Sequence, residues 1–506
     1  MILAFTFLSS MIINITQKYQ TMSGFSASDA WIPNNIGKYW NESEKESIAE
    51  LLFSTEIKDH QPKGIGLSMW RFDIGGCTAD QGDSSDIQDI NRRAECFFNE
   101  RLQYDFESKH IGQKYFLEKA YNYGCRIFVL FSNSPPVYYT YNGKGYSNKG
   151  AYSNLKPEYY QSFAQYLADS AYYFEKRKGI PISFISPVNE PQWNWDGPTQ
   201  EGTAWQNYEI ATLVRELNTA IENRRLETKI LIAEAGDWTY TYDYVKEENR
   251  SQVMDNFFNP TFHNGYNYVG NLTKVAKTIG GHSYWTDTKW DTLVSTREKI
   301  HKKAAELGLS VFQTEWSMLS SSYDKDEFPG FDKATEIDVA LYMTKVIHND
   351  LTVANAESWS YWTSVDYADD KGRYHLVRLI LDQSGDIKIS GSHVASKTLW
   401  ALGQFSRFVL PGYRRVDAKL DDANKHFFGS AYVDKDETML VIVISNCKDA
   451  EKTVDLKLLG IEGRKVKSVK CYTTSENENL FERDVEKTDE VVIKGKSIDT
   501  FVFEFE

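Results

Sequence analysis

The chain has 506 residues, 41% of them apolar and 25% charged, with a formal net charge of −14. That length exceeds one ordinary domain and suits a barrel of about 250–400 residues with a smaller module attached. The acidic balance argues against a nucleic-acid partner and favours a neutral ligand.

The start, MILAFTFLSSMII, is apolar but too short to span a membrane. It resembles the apolar core of a signal peptide, without a positively charged leader or an A-x-A site. Residues 1–11 are read as a remnant of an export signal, and the protein as secreted or periplasmic. The alternating INITQKYQTM that follows reads as a strand, residues 12–23, pairing with a C-terminal sheet domain. No later run is long and apolar enough for a membrane span.

From Gly24 onward short apolar runs alternate with helical patterns. Eight runs read as strands: GFSAS (24–28), IGLSMWRFDI (65–74), CRIFVLFSNS (125–134), ISFISPVN (182–189), KILIAEAGDW (229–238), IGGHSYW (279–285), SVFQTEW (310–316) and ESWSYWTSV (357–365). Between them, the pattern over 41–54 opens on a cap-like Asn41 followed by glutamates that suit the positive end of a helix dipole. The pattern over 156–179 has Pro157 near its start and Gly179 past its end. Segments 203–225, 295–308 and 336–354 repeat apolar residues at spacings of three and four, and 393–409 supplies the eighth helix. This rhythm predicts a (β/α)8 TIM barrel over 24–410. An open doubly wound sheet is disfavoured. No GxGxxG follows a strand, and polar and aromatic residues recur where barrel strands end and converge.

After residue 410 the period changes to two, in HFFGSAYV, ETMLVIVIS, KTVDLKLL, KVKSVKCYTTS and SIDTFVFEFE. Residues 411–506 therefore read as a fused all-β sandwich. The five cysteines, at 77, 96, 125, 447 and 471, form no CxxC pair and lie near no histidine cluster. A zinc site is not expected; one disulfide stays open, and the odd count leaves at least one thiol unpaired in a monomer.

Two carboxylates stand out. Glu190, in SFISPVNEPQWNWDG, follows the fourth strand, and Glu315, in FQTEWSM, ends the seventh. Both should look into the barrel mouth. A facing pair is what glycoside cleavage needs: one group protonates the leaving oxygen, and the other attacks the anomeric carbon or activates water. Neighbouring carboxylates also resist ionising together, which separates their pKa values. His282 and Tyr284 alternate toward the same face. Asp29, Trp31, Trp238 and Trp362 are candidate wall residues, and Trp193 and Trp195 a stacking platform for a sugar ring.

VNEPQ with QTEW after strands four and seven resembles the clan A retaining glycosidases. MSGFSASDAW (22–31), RFDIGG (71–76), SNSPPVYY (132–139), HSYW (282–285) and the closing KSIDTFVFEF narrow the resemblance to glycoside hydrolase family 30. It implies Glu190 as acid/base, Glu315 as nucleophile, Asn189 as partner of a sugar hydroxyl, and Arg71 beside the nucleophile. It implies no metal and no organic cofactor, a carbohydrate as the substrate, and a monomer. Retention would place the carboxyl groups about 5–5.5 Å apart. Asp73 departs from the asparagine of a common family pattern, and would bind a sugar hydroxyl or pair with Arg71. SNSPPVYY is most similar to the endo-β-1,6-galactanase branch. The alternatives are a β-1,6-glucanase, a xylanase or xylosidase, an exo-β-glycosidase, or a non-catalytic carbohydrate-binding barrel.

Overall fold

The computed structural model describes residues 9–246 and 248–506. Residues 1–8, most of the segment read as an export-signal remnant, lie outside the described residues. Strand β1 runs over Ser9–Thr21, three residues earlier than its sequence pattern suggested. Met11, Ile13 and Ile15 on alternate positions are buried, so residues 9–11 belong to this strand.

Eight parallel strands follow in chain order: β2 (Gly24–Ala27), β3 (Met69–Asp73), β4 (Ile127–Phe131), β5 (Phe184–Ser186), β6 (Lys229–Ala235), β7 (Val275–His282), β8 (Ser310–Glu315) and β9 (Ala356–Tyr361). β9 pairs back onto β2. The ring closes where Ser28 bridges to Arg71 and the Asp29 N–H donates to Arg71 O at 3.0 Å. This is the expected TIM barrel. Met69, Val129, Leu231 and Phe312 fill its interior as a packed layer.

Helices cover the outside: α1 (Ile32–Tyr39), α2 (Glu42–Phe53), α3 (Ile111–Asn122), α4 (Tyr160–Tyr173), α5 (Asn207–Asn223), α6 (Thr239–Tyr242), α7 (Val253–Phe258), α8 (Trp290–Leu307), α9 (Glu336–Thr352) and α10 (Lys397–Ser406). Asn41 Oδ1 accepts from the Glu44 N–H at 3.0 Å and caps α2 as its sequence suggests. Gln206 and Glu209 form a reciprocal capping box on α5. The eighth helix is shorter than expected. Residues 391–395 instead form a strand, joined with 377–381 and 365–366 in a small sheet.

The C-terminal module adds β10 (Arg414–Leu420), β11 (Phe427–Val433), β12 (Met439–Asn446), β13 (Lys452–Leu459), β14 (Val466–Thr474), β15 (Phe481–Asp484), β16 (Val491–Ile493) and β17 (Ser497–Phe505). With β1 they form one continuous sheet, ordered β15-β14-β17-β12-β11-β10-β1-β13-β16. β1 is antiparallel to β10 and parallel to β13, so the N-terminal strand sits inside this sheet. Ile13, Val416, Ile442, Val454 and Phe501 share one core with residues from both ends of the strand order, as a sandwich requires.

Candidate active site

The C-terminal ends of the barrel strands bring two glutamates together. Glu315 is the last residue of β8, and Glu190 lies in the turn after β5. One carboxylate oxygen from each, and a ring nitrogen of His282, lie within 4.8 Å of one another. Both glutamates are buried, yet both line a cleft of about 450 Å3.

Their surroundings differ. Glu315 accepts from Arg71 Nη1 at 2.6 Å and from Tyr284 OH at 3.0 Å. The same guanidinium donates to Asn189 Oδ1 at 3.1 Å and lies 3.7 Å from Glu234 Oε2. Its carbon stands 3.7 Å from the centroid of the Phe131 ring. Burial works against the charge of Arg71, but Glu234 and Glu315 more than offset it and raise the pKa. A guanidinium fixed this way presents a rigid fork that aims the carboxylate.

Glu190 meets His282 instead. His282 Nδ1 is 2.9 Å from Glu190 Oε1 and 3.7 Å from Glu315 Oε1; Nε2 is 3.0 Å from Glu234 Oε2. Burial disfavours the imidazolium, yet the surrounding carboxylates outweigh it and lift His282 to about 10. The ring is therefore a cation at neutral pH and donates from both nitrogens. Burial also pushes Glu234 upward, but Arg71 and His282 reverse this and pull it to about 2. Thr314 Oγ1 donates to the same carboxylate. For Glu190 burial prevails: its pKa rises, the Glu315 charge adds to the rise, and His282 opposes it only in part.

The turn carrying Glu190 is strained. Its φ is +42°, a left-handed value uncommon outside glycine. Three hydrogen bonds hold it. The Glu190 N–H donates to Glu234 O at 2.9 Å, and Glu190 O accepts from the Trp193 N–H and from Trp195 Nε1, each at 3.1 Å. Gly236 passes so close that a Cβ there would lie 2.8 Å from Glu190 Oε1. Only glycine fits.

Among the residues expected at the site, Trp31, Asn189, Trp195, Tyr284 and Trp362 line the cleft with the two glutamates. Trp31 and Trp362 meet edge to face with centroids 5.2 Å apart. Arg71 and His282 stand directly behind the glutamates. Four others lie elsewhere. Trp238 is a core residue and not a wall: it is fully buried, donates from Nε1 to Ser283 Oγ at 2.9 Å and packs on Gly281. Asp29 is fully buried, accepting from the Asp73 N–H at 2.8 Å and Gln113 Nε2 at 2.9 Å, so it ties the end of β2 to β3. Trp193 is half-buried, edge-on to Tyr240 at 6.1 Å and outside the cleft lining. Asp73 forms no ion pair among the described residues. It accepts from the Gly75 N–H at 3.1 Å and Asn133 Nδ2 at 3.5 Å, and burial pushes it up to about 7.

Sequence reasoning passed over Glu234, although β6 carries a glutamate near its C-terminal end just as β8 does. It also missed Arg92, Asp366, Tyr367 and Tyr374, which reach the cleft from loops and elements too short for any periodicity to mark. Arg92 stands 5.4 Å from the Trp31 ring. The Cys77–Cys96 disulfide fastens the loop after β3.

Glu190, His282 and Glu315 also have the spacing of a metal-binding group. His282 is a poor ligand in this setting. A metal needs a deprotonated ring nitrogen, and both nitrogens here are held protonated by carboxylates. What the arrangement suits is acid–base and nucleophilic chemistry on a neutral substrate.

The chain is 24% identical over 484 residues to an endo-beta-1,6-galactanase of Hypocrea rufa, covering 92% of this chain and 87% of that protein. It is likewise 24% identical over 364 residues to a glucuronoxylanase of Bacillus subtilis (strain 168), covering 72% and 69%. Its fold matches that of a conserved exported protein from Bacteroides fragilis with a TM-score of 0.89 and 28% identity, over 97% of this chain and 100% of the other. Among the described residues no helix is long and apolar enough to cross a membrane. The sequence model of O-Glycosyl hydrolase family 30 matches residues 8–374, well over half the length. The chain belongs to that family and is an O-glycosyl hydrolase.

Proposed function

We propose that the enzyme is a retaining endo-β-1,6-galactanase acting by double displacement, with Glu315 as nucleophile and Glu190 as acid/base. The observation that carries the mechanism is the spacing of the pair. One carboxylate oxygen from each lies within 4.8 Å of the other, which supports the close pair of a retaining enzyme, about 5–5.5 Å apart, over the roughly 6.5–9.5 Å that admits an inverting enzyme's water. In the first step Glu315 attacks the anomeric carbon while Glu190 delivers its proton to the leaving oxygen. The glycosidic bond breaks and a glycosyl ester of Glu315 forms. Glu190, now a carboxylate beside the His282 cation, then takes a proton from water, whose oxygen displaces Glu315. Arg71 holds Asn189 Oδ1, which leaves the amide N–H groups of Asn189 for the hydroxyl beside the anomeric carbon.

The choice of sugar is read from sequence similarity. SNSPPVYY and the 92% coverage by the galactanase relative support β-1,6-galactan. Xylan is the second reading, from the glucuronoxylanase at the same identity. The apolar start and the exported neighbour support secretion. Product profiling on de-arabinosylated β-1,6-galactan, β-1,6-glucan and xylan tests the reading, with Glu315→Gln alongside. Oligosaccharides from galactan alone, absent with the variant, are expected. Products from xylan or glucan alone would move the assignment to that polymer.

A further inference from the structure

On the outer wall of the barrel, α4 and α5 frame a second cavity with the loop over 140–155. Its volume, about 770 Å3, exceeds that of the catalytic cleft. Tyr141, Tyr152 and Tyr208 line it while remaining 47%, 53% and 42% exposed. Asn148, Gln161 and Glu216 stand among them. A core does not require three solvent-facing tyrosines in one concavity. A sugar ring offers apolar C–H faces and a belt of hydroxyls. Aromatic faces fit the first, and amide and carboxylate groups the second. The net charge of −14 disfavours a polyanion in the same place.

The groove is joined to the cleft through its own loop. The Ser147 N–H donates to Trp195 O at 3.0 Å, and Gly145 O accepts from the Gly202 N–H at 2.9 Å, directly beneath the Trp195 ring. Farther along, the Asn154 N–H donates to Thr203 Oγ1 at 2.8 Å and the Ser153 N–H to Glu209 Oε2 at 3.0 Å, on the first turn of α5. One loop therefore supports a wall of the cleft and carries two of the groove's tyrosines.

We propose that this groove is a second, non-catalytic binding site for the polysaccharide cleaved in the cleft, holding sugar units remote from the reacting bond. The inference rests on the glycanase reading above, but not on which sugar is cleaved. The test is affinity electrophoresis of Glu315→Gln, with and without Tyr152→Ala and Tyr208→Ala, in gels of β-1,6-galactan, β-1,6-glucan and xylan. On the polymer that retards Glu315→Gln, the two tyrosine changes should raise the apparent dissociation constant about tenfold. With Glu315 intact, the same changes should leave cleavage of a short oligosaccharide unaltered. A tenfold loss on glucan or xylan keeps the groove and overturns the galactan assignment. Equal retardation with and without the tyrosines, or none on any polymer, overturns the groove. So does loss of short-oligosaccharide cleavage, because the tyrosines would then be shaping the cleft itself. If the double change impairs folding by near-UV circular dichroism, Tyr152→Ala alone gives the same readout.

Discussion

Replacing Glu234 by glutamine isolates the electrostatics of the site without touching either carboxylate proposed to react. Glu190, Glu234 and Glu315 face Arg71 and His282 in one buried cluster. With Glu190 protonated, two carboxylates balance two cations, so the acid form of Glu190 is the neutral state of the cluster. Removing the Glu234 charge makes the ionised form of Glu190 the neutral one. Glu190 and Glu234 sit on opposite nitrogens of one imidazole, at 2.9 and 3.0 Å. At about 7 Å and an effective dielectric near 20, the lost repulsion is about 2.4 kcal/mol, or roughly 1.7 pH units. The high-pH limb of the kcat/KM profile, which reports the proton on the acid, should therefore move down by about one to two units. The maximal rate should fall about 10–100-fold as Arg71 and His282 lose the acceptor that fixes them. Glu234→Asp keeps the charge and should keep the limb. Cutting a buried pair costs about 3–5 kcal/mol of stability, so folding is checked at the assay temperature first. A Glu234→Gln limb within about 0.3 units of the parent would refute the charge-balance argument.

Azide separates the roles proposed for Glu190 and Glu315. Glu190→Gln should be rescued by azide on a substrate with a good leaving group, giving a β-glycosyl azide, whereas rescue of Glu315→Gln should give the α product; products of the opposite pairing would exchange the assignments. Stability should depend on pH through the same cluster. Glu234 is depressed from 4.5 to about 2, so its contribution is present above 4.5 and lost as pH falls through 2. His282 is raised from 6.5 to about 10, so its contribution is complete below 6.5 and lost as pH rises through 10. Thermal unfolding should show a plateau between about pH 4.5 and 6.5 that Glu234→Gln flattens, and an unaltered curve would count against the pairing. Replacing Cys77 and Cys96 by serine opens a crosslink of sequence separation 19 and should cost about 3 kcal/mol. Ala94, two residues from Cys96, packs with Trp31 and Phe131 at the cleft wall, so KM should rise more than kcat falls; the reverse split would place the effect elsewhere.

What could be read from the sequence follows from what sequence patterns encode. Eight apolar runs, with glutamates closing two of them, declare a barrel and mark two carboxylates that the fold brings together, because period and residue chemistry are local. α3 was not legible. Its N-cap is His110, in a left-handed conformation with no side-chain cap, so neither a start signal nor a capping box announces it. Orientation at the strand ends was the harder matter. Alternation predicts which way a side chain points only while the backbone stays extended. Here φ turns positive at Glu190, Trp195 and Glu234, just where strands become loops. Each such residue breaks the period. Trp195 is thereby brought to the cleft with its indole N–H on Glu190 O, while Trp238 swings behind β7 into the core, although both are tryptophans shortly after a strand. The supporting layer was hidden for a different reason. Glu234 matters through His282, 48 residues away, and Arg71 through Glu315, 244 residues away. The family resemblance recovered Arg71. Glu234 carried the same local sign as Glu315, a glutamate near the end of an apolar strand, but such a residue reads as an anomaly until its two cations are placed beside it.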